Sequence, residues 1–326
     1  MKAAIVRSFG TDAGIAIEEI GTPAPEPDGV RIAVHCAGVS YVTALVARGG
    51  YQVKPPLPFV PGSDYAGVVD AVGAGVRDLK PGDRVLGGGF GGGFAEFAVT
   101  SAAQVVPIGD RMDFATASVF RVSYGTALHA LKQRAEIRRG ETLLVLGAAG
   151  STGEAAIQVG KALGAHIIAS ASTADKRDAA IAAGADVAID STDADWRGAV
   201  RAATAGNGPD VVFDPVGGAA MEPAFRSLGW RGRHLVIGFV GGPIPALPVN
   251  LALLKGAALV GVDYRQFRER EPDLEAANIR ELLDMHAAGH LRPAIGRTFS
   301  LDEAGAALAA ASDRGPPGRI VLRVRD

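Results

Sequence analysis

The segment LLVLGAAGSTGEAAIQVGKALGA at 143–165 limits what this chain can fold into more than any other part of it. A short apolar run, Leu143 to Leu146, meets glycines at 147, 150 and 153, after which Ala155, Ala156, Ile157, Val159, Ala162 and Leu163 recur at helical spacing. The pattern reads as strand, tight turn and helix. Small residues at such a turn let the backbone approach a diphosphate, while the first amides of the helix and its dipole attract negative charge. Gly147, Ala149, Gly150, Ser151, Thr152 and Gly153 are the candidate phosphate-side residues. The glycines are spaced G-x-x-G-x-x-G rather than G-x-G-x-x-G, so on the motif alone an ordinary strand-to-helix turn competes with a nucleotide site. A second strand-like run at 165–170, directly after the helix, completes a βαβ unit and favours the nucleotide.

The residues after that second strand address which nucleotide. An NAD site would place a carboxylate there for the ribose hydroxyls. This chain has Ala169, Ser170, Ala171 and Ser172, followed by Lys176 and Arg177. A hydroxyl and a cation hold a 2′-phosphate through charge-assisted hydrogen bonds, which a carboxylate would repel. NADPH is therefore expected over NADH, with Ser172 and Lys176 at the phosphate. A plainer role for Ser172 is to cap the next helix in a capping box with Asp175; the two roles are compatible.

At 326 residues the chain has room for about two domains of ~150 residues each. A content of 48% hydrophobic and 21% charged residues describes a soluble globular protein, and a net charge of −2 offers nucleic acid no basic footprint. The lone cysteine, Cys36, rules out an intramolecular disulfide and any multi-cysteine metal site; it reads as a small buried strand residue of a protein kept in the reducing cytoplasm. Arg7 and Ser8 interrupt the N-terminal apolar run where a signal peptide would continue it. The apolar stretch at 243–262 is broken by Pro245, Pro248, Asn250, Lys255 and Gly256, so no membrane span is expected.

Up to about residue 118 short strand signals follow one another at 2–6, 15–19, 30–36, 65–72, 84–86 and 94–99, punctuated by prolines, with helical patterning at 41–48. Helices are expected at 115–118 and 124–134. The second half alternates: strands at 143–146, 166–170, 187–189, 210–213, 234–237 and 258–262 are separated by helices near 153–163, 174–183, 193–204, 218–228 and 249–255. Such alternation predicts a doubly wound parallel sheet. An amphipathic helix from 273 to 288, a helix at 302–311 and a strand at 319–324 close the chain, the last strand returning to the first domain.

Along almost its whole length the chain resembles the zinc-free medium-chain dehydrogenases/reductases of the NADPH:quinone oxidoreductase group. The residues that carry the resemblance are AGVS at 37–40, GYQVKPPLPFVPG at 50–62, DYAGVV at 64–69, KPGDRV at 80–85, VSYGTA at 122–127, the glycine turn, DVVFDPVG at 210–217 and NLALLKG at 250–256. The resemblance implies a GroES-like β-rich catalytic domain (1–120 and 268–326) around a Rossmann NADP-binding domain (121–267). It also implies a homodimer joined edge to edge near 258–262. No metal site is expected, because a catalytic zinc needs three protein ligands with an open fourth position. The positions that hold a cysteine and a Gly-His-Glu in zinc-dependent relatives correspond here to Ser40 and to Gly62, Ser63 and Asp64.

Without a Lewis acid, hydride transfer is easiest to an electron-poor acceptor such as a quinone or an activated alkene. The resemblance places the nicotinamide against Thr126 and the segment Ile237–Gly241, and so implicates Val216, Gly238, Phe239 and Val240. Ser40, Tyr41 and Tyr51 fall toward the substrate side, Ser40 and Tyr41 also being expected to touch the cofactor, and Thr126 is the second catalytic candidate beside Tyr51. Tyr51 is the candidate to orient an acceptor oxygen or help deliver a proton; an aromatic that anchors a proline-rich loop is the competing reading. The acceptor is expected between Tyr41, Tyr51, Phe59 and Phe239. Arg314 is a possible helper at the phosphate, and Asp263 is expected to bring a carboxylate to the cleft. An enone or enoyl-thioester reductase is the alternative, with Arg265, Arg268 and Arg270 as cations for a large thioester. A non-catalytic crystallin-like or RNA-binding protein is a remote third reading.

Overall fold

The computed structural model describes residues 1–10, 14–313 and 315–325. The chain divides into two compact units, Met1–Arg121 with Pro293–Asp326, and Val122–Arg292. Before the first crossing run β1 (Lys2–Val6), β2 (Ile15–Glu19), β3 (Gly29–Val39), α1 (Tyr41–Ala47), β4 (Asp64–Val72), β5 (Arg84–Gly88), β6 (Phe97–Ser101), β7 (Val106–Pro107) and α2 (Phe114–Ala117). The strand expected at 94–99 lies a few residues later, because Phe94 turns into the core instead of entering the ladder.

The second unit holds α3 (Arg121–Leu128), which runs on into a π-helical turn at His129–Arg134, then β8 (Thr142–Val145), α4 (Ser151–Ala162), β9 (His166–Ala171), α5 (Ala174–Ala182), β10 (Val187–Asp190), α6 (Trp196–Ala203), β11 (Val211–Asp214), α7 (Met221–Ser227), β12 (Arg233–Val236), α8 (Asn250–Lys255), β13 (Ala258–Gly261), α9 (Tyr264–Arg270) and α10 (Pro272–Ala287). Its six strands are all parallel in the order β10-β9-β8-β11-β12-β13. The central strands are apolar on both faces, as a sheet covered on two sides requires: Leu143, Leu144, Val145, Ile167, Ile168, Val211, Val212 and Phe213 are fully buried. Gly160 lets α4 lie close to this sheet, since a Cβ there would stand 2.8 Å from Ile167 and 2.9 Å from Leu143.

Residues 268–292, expected with the first unit, belong to the second. Polar side chains fix them there: Gln133 and Asn278 exchange amide hydrogen bonds at 3.1 and 3.2 Å, and the Tyr264 hydroxyl donates to buried Glu275 at 2.9 Å. Helix α9 was not foreseen, since its charge-rich YRQFRER sequence carries few apolar positions; Asp263 caps it by accepting from Gln266 N–H at 3.0 Å.

The chain then returns to the first unit with β14 (Ile295–Ser300), α11 (Ala304–Ser312) and β15 (Arg319–Arg323). The sheet there reads β14-β15-β3-β4-β5-β7, with β6 also on β3 and β15 antiparallel to β3. The final strand thus joins the first unit as its patterning suggested, while β14, polar and half exposed along its length, gave no strand signal. Val30, Ile32, Val34, Tyr65, Val85, Phe94 and Leu322 form the core of this unit. Among the described residues no helix is long and apolar enough to cross a membrane.

Candidate active site at the carboxyl edge of the parallel sheet

The glycine turn is built as its spacing suggested, with a separate reason for each glycine. Gly147 leaves β8 at φ 57°, where residues with a Cβ are strained. Gly153, in the first turn of α4, lies against the Gly147 carbonyl and 2.9 Å (Cβ position) from Ala148 Cα, so any side chain would push the helix off the turn. Gly150 caps the helix in an extended conformation, φ −78° and ψ 160°, and a Cβ there would sit 3.2 Å from Gly147 O. The first helical bond of α4 runs from Glu154 N–H to Gly150 O at 2.8 Å, so the segment from Ala149 to Gly153 stands at the positive end of the helix dipole. Ala149, Ser151 and Thr152 are partly exposed there.

Two further loops meet this turn. Beyond β11 and β12 the parallel pairing continues as backbone hydrogen bonds: Ile237 N–H to Asp214 O at 3.0 Å, Val240 N–H to Pro215 O at 3.3 Å and Gly241 N–H to Val216 O at 2.8 Å. Val216 touches both neighbours, since a Cβ on Gly147 would stand 2.9 Å from its Cγ2 and one on Gly241 2.6 Å from its Cγ1. Gly217, at φ 62°, lies against Phe239. Gly147, Val216, Gly238, Phe239 and Val240 are thereby brought together at the ends of three adjacent strands, Phe239 and Val240 exposed. Crevices outside the carboxyl ends of such strands are where ligands bind in open α/β sheets.

The end of β9 supplies a third group. Ser172 is exposed and Lys176 half buried. The helix cap is not Ser172 but its neighbour: Thr173 Oγ1 accepts from Lys176 N–H at 3.3 Å. Arg177 is drawn toward β10, its guanidinium 2.9 Å from the Asp190 carboxylate. Hydrogen bonds from the Thr192 hydroxyl and amide, together with Arg177, hold the Asp190 carboxyl below the ordinary carboxylate range. Arg314, the other cation considered for the phosphate, lies outside the described residues.

Thr126 is buried on α3, next to Gly125, which packs on the Tyr264 hydroxyl. In the first unit, Ser40 caps α1 in a capping box: its Oγ accepts from Thr43 N–H at 3.1 Å and its N–H donates to Thr43 Oγ1 at 3.3 Å. Thr43 is therefore a structural partner of Ser40. Tyr41 opens α1 and is exposed; Tyr51 is half buried in the following loop. Phe59 is half buried: it bridges to Val6 and packs on the unit's core, 6.2 Å from the Phe9 ring. Asp263 is likewise occupied, as the cap of α9, and Arg265 is paired with Glu269 at 2.9 Å.

Sequence reasoning passed over one buried polar pair at this edge. Asp214, 2% exposed, accepts from Val216 N–H and Gly217 N–H, each at 2.8 Å, and its other oxygen lies 3.0 Å from Nε2 of fully buried His234. The signal was there: an acid ending the apolar run VVFD, before Pro-Val-Gly, and a histidine inside the run HLVIG.

Ser40 is committed to its cap, burial pushes the Cys36 thiol up to about 11, and among the described residues no three of His, Cys, Asp or Glu are grouped to hold an ion.

The sheet order and its glycine turn define a dinucleotide-binding α/β fold of the dehydrogenase type. Comparison with known proteins narrows this. The family models described as "Alcohol dehydrogenase GroES-like domain" and "Zinc-binding dehydrogenase" match residues 26–110 and 151–279. The chain is 35% identical to quinone oxidoreductase-like protein 2 of Bos taurus, over 95% of this chain and 89% of that protein. Among solved structures it is similar to a probable oxidoreductase from Mycobacterium abscessus (35% identity, TM-score 0.90, 99% of both chains). It is also similar to a mycobacterial protein solved in complex with NADPH (29% identity, TM-score 0.92, 99% of this chain and 100% of that one). The chain belongs to the medium-chain dehydrogenase/reductase family, in its quinone oxidoreductase group, and is an oxidoreductase.

Proposed function

We propose that this enzyme is an NADPH-dependent, zinc-independent reductase of quinones or similarly electrophilic acceptors. The observation that carries the reading is the carboxyl edge of the parallel sheet: a glycine turn opening on a helix dipole, and a strand end, at β9, followed by hydroxyls and Lys176 where a carboxylate would select NAD. The NADPH carried by the mycobacterial structure and the name of the bovine relative support it.

NADPH supplies hydride from C4 of its nicotinamide. The backbone of Gly147 to Gly153 holds the diphosphate, and Ser172 with Lys176 holds the 2′-phosphate. Val216 and Gly238 to Val240 wall the nicotinamide, with Thr126 fixing its carboxamide. Tyr51 orients an acceptor oxygen and passes it a proton drawn from solvent, so that a quinone leaves as hydroquinone. A site of this kind contributes position and exclusion of water. The Arg265–Glu269 pair leaves less cationic character for a large thioester than the sequence suggested.

The exposed edge strand β13, with Leu259, and the exposed Val249, Leu253 and Leu254 of the α8 region form an apolar surface suited to a second copy of the chain. A homodimer working in the cytoplasm is the assembly proposed, and sedimentation velocity reads its mass. NADPH oxidation followed at matched concentrations of quinones, enones and acyl-CoA thioesters tests the acceptor. Quinone turnover well above the others is expected; turnover of thioesters alone would replace the quinone assignment.

A further inference from the structure

The nicotinamide-side loops owe their shape to a buried pair, Asp214 and His234, that grips one of them by its backbone. Asp214 is the last residue of β11, the middle one of the three strands that carry the glycine turn and its two partner loops. Its Oδ1 accepts both Val216 N–H and Gly217 N–H, which turns the chain through two glycines at φ 62° and 55°. The carbonyls of Asp214, Pro215 and Val216 then receive the amides of Ile237, Val240 and Gly241. The segment assigned to the nicotinamide is thus registered on a backbone whose course is set by one carboxylate.

That carboxylate is aimed by His234. Its Nε2 lies 3.0 Å from Asp214 Oδ2, and both side chains are almost wholly out of solvent, His234 beside the Phe225 ring. Nδ1 is buried without a hydrogen-bond partner, so a proton there would be unsatisfied, whereas on Nε2 it is accepted by Asp214. Rotating the carboxylate would cost the hydrogen bonds to Val216 and Gly217 together.

We infer that His234, through Asp214, is a positioning residue for the nicotinamide half of the cofactor site, and that the adenine half does not depend on it. The inference rests on the NADPH reading above. The adenine side, from Ser172 after β9 to Lys176 in the first turn of α5, is held by the Thr173 cap and by β9–β10 pairing, in which neither Asp214 nor His234 takes part.

The test compares two probes on the full-length enzyme: NADPH, and adenosine 2′,5′-bisphosphate, which lacks the nicotinamide. His234→Phe preserves the ring and removes the donor; His234→Gln places an amide N–H near the position of Nε2. Expected for His234→Phe are about a tenfold weaker Kd for NADPH and a comparable fall in kcat, the size of one lost hydrogen bond to a charged group. The Kd for the bisphosphate should stay within about twofold, and His234→Gln should recover most of the loss. Where His234→Phe does not fold, Asp214→Asn is read in the same way: it keeps an acceptor for the two amides and puts a donor toward His234. Equal effects on both probes, no effect on either, or failure of His234→Gln to recover NADPH affinity would overturn the inference. Wild-type enzyme that binds neither probe would overturn the cofactor reading and this inference with it; wild-type binding without a split in the variants would overturn this inference alone.

Discussion

The two edges of the parallel sheet are built from opposite materials. At the amino edge carboxylates start the strands: Asp210 accepts from Thr142 N–H at 2.8 Å, and Asp186 accepts from Ile167 N–H at 2.7 Å while pairing with Lys161. Glu141 there forms a two-pronged pair with Arg233 at 2.9 and 2.7 Å. At the centre of the carboxyl edge glycines, main-chain amides and small apolar side chains dominate; Asp214 there is buried and turned inward, and Asp190, which ends the outer strand β10, is paired with Arg177. The difference has an electrostatic cause. A phosphate-bearing cofactor would be repelled by carboxylates like those of the amino edge, whereas amides at a helix N-terminus attract it. Stability resides in charge where no anion must arrive, and binding resides in backbone where one must.

The largest test of this contrast removes space from the carboxyl edge. Gly153→Val forces a side chain into the Gly147 carbonyl and Ala148. Overpacking of this kind costs about 1–3 kcal/mol, so the Kd for NADPH, measured by fluorescence titration, should rise roughly ten- to hundredfold. Unchanged affinity would mean that the diphosphate does not use this turn. Next in size is Lys176→Ala. Loss of a charge-assisted bond to the 2′-phosphate should raise KM for NADPH about tenfold and leave KM for NADH within about twofold. Equal effects on both would remove Lys176 from the phosphate.

Much of this architecture was legible in the sequence because the carboxyl edge depends on residues with a strong local signature. Gly147 and Gly153 sit between an apolar run and a helical repeat, and the parallel strands announce themselves by short apolar runs at regular spacing between helical stretches. What escaped depends on partners far along the chain. Glu275 and Asn278 place α10 in the second unit through Tyr264 and Gln133, a pairing that no local pattern encodes. Strand β14 lies at a sheet edge with exposed Ile295 and a polar run behind it, so periodicity was silent. Phe59 and Asp263 carry no mark of their partners in the sequence: the half-buried Phe59 packs on a core, and Asp263, though exposed, caps a helix.

At the amino edge the expected effects are on stability alone. Burial would by itself raise the Glu141 carboxyl, but the hydrogen bonds from Arg233 and Arg138 N–H, with both guanidinium charges, hold it below the usual carboxylate range. A carboxyl depressed in the folded state stabilises at pH above its unfolded value, and that contribution is lost as pH falls through the lower folded value. Glu141→Gln should therefore lower Tm at pH 7 by about 2–4 °C, corresponding to roughly 1 kcal/mol, with the gap from wild type closing at acid pH. KM for NADPH should not move, and a change in it would break the division between the edges.

The finest test separates two adjacent hydroxyls at the end of β9. Thr173 caps α5, so Thr173→Ala should cost about 1 kcal/mol of stability, read as a small fall in Tm. Ser172 is exposed and makes no cap, so Ser172→Ala should leave Tm in place. If Ser172 meets the 2′-phosphate, its loss should raise KM for NADPH by roughly two- to fivefold, the share of one hydroxyl hydrogen bond, without changing KM for NADH. The two substitutions remove the same functional group one residue apart. A Tm effect for one and an NADPH effect for the other would show that, even within this loop, holding the fold and holding the phosphate fall to different side chains; matching effects would mean the loop acts as a single unit.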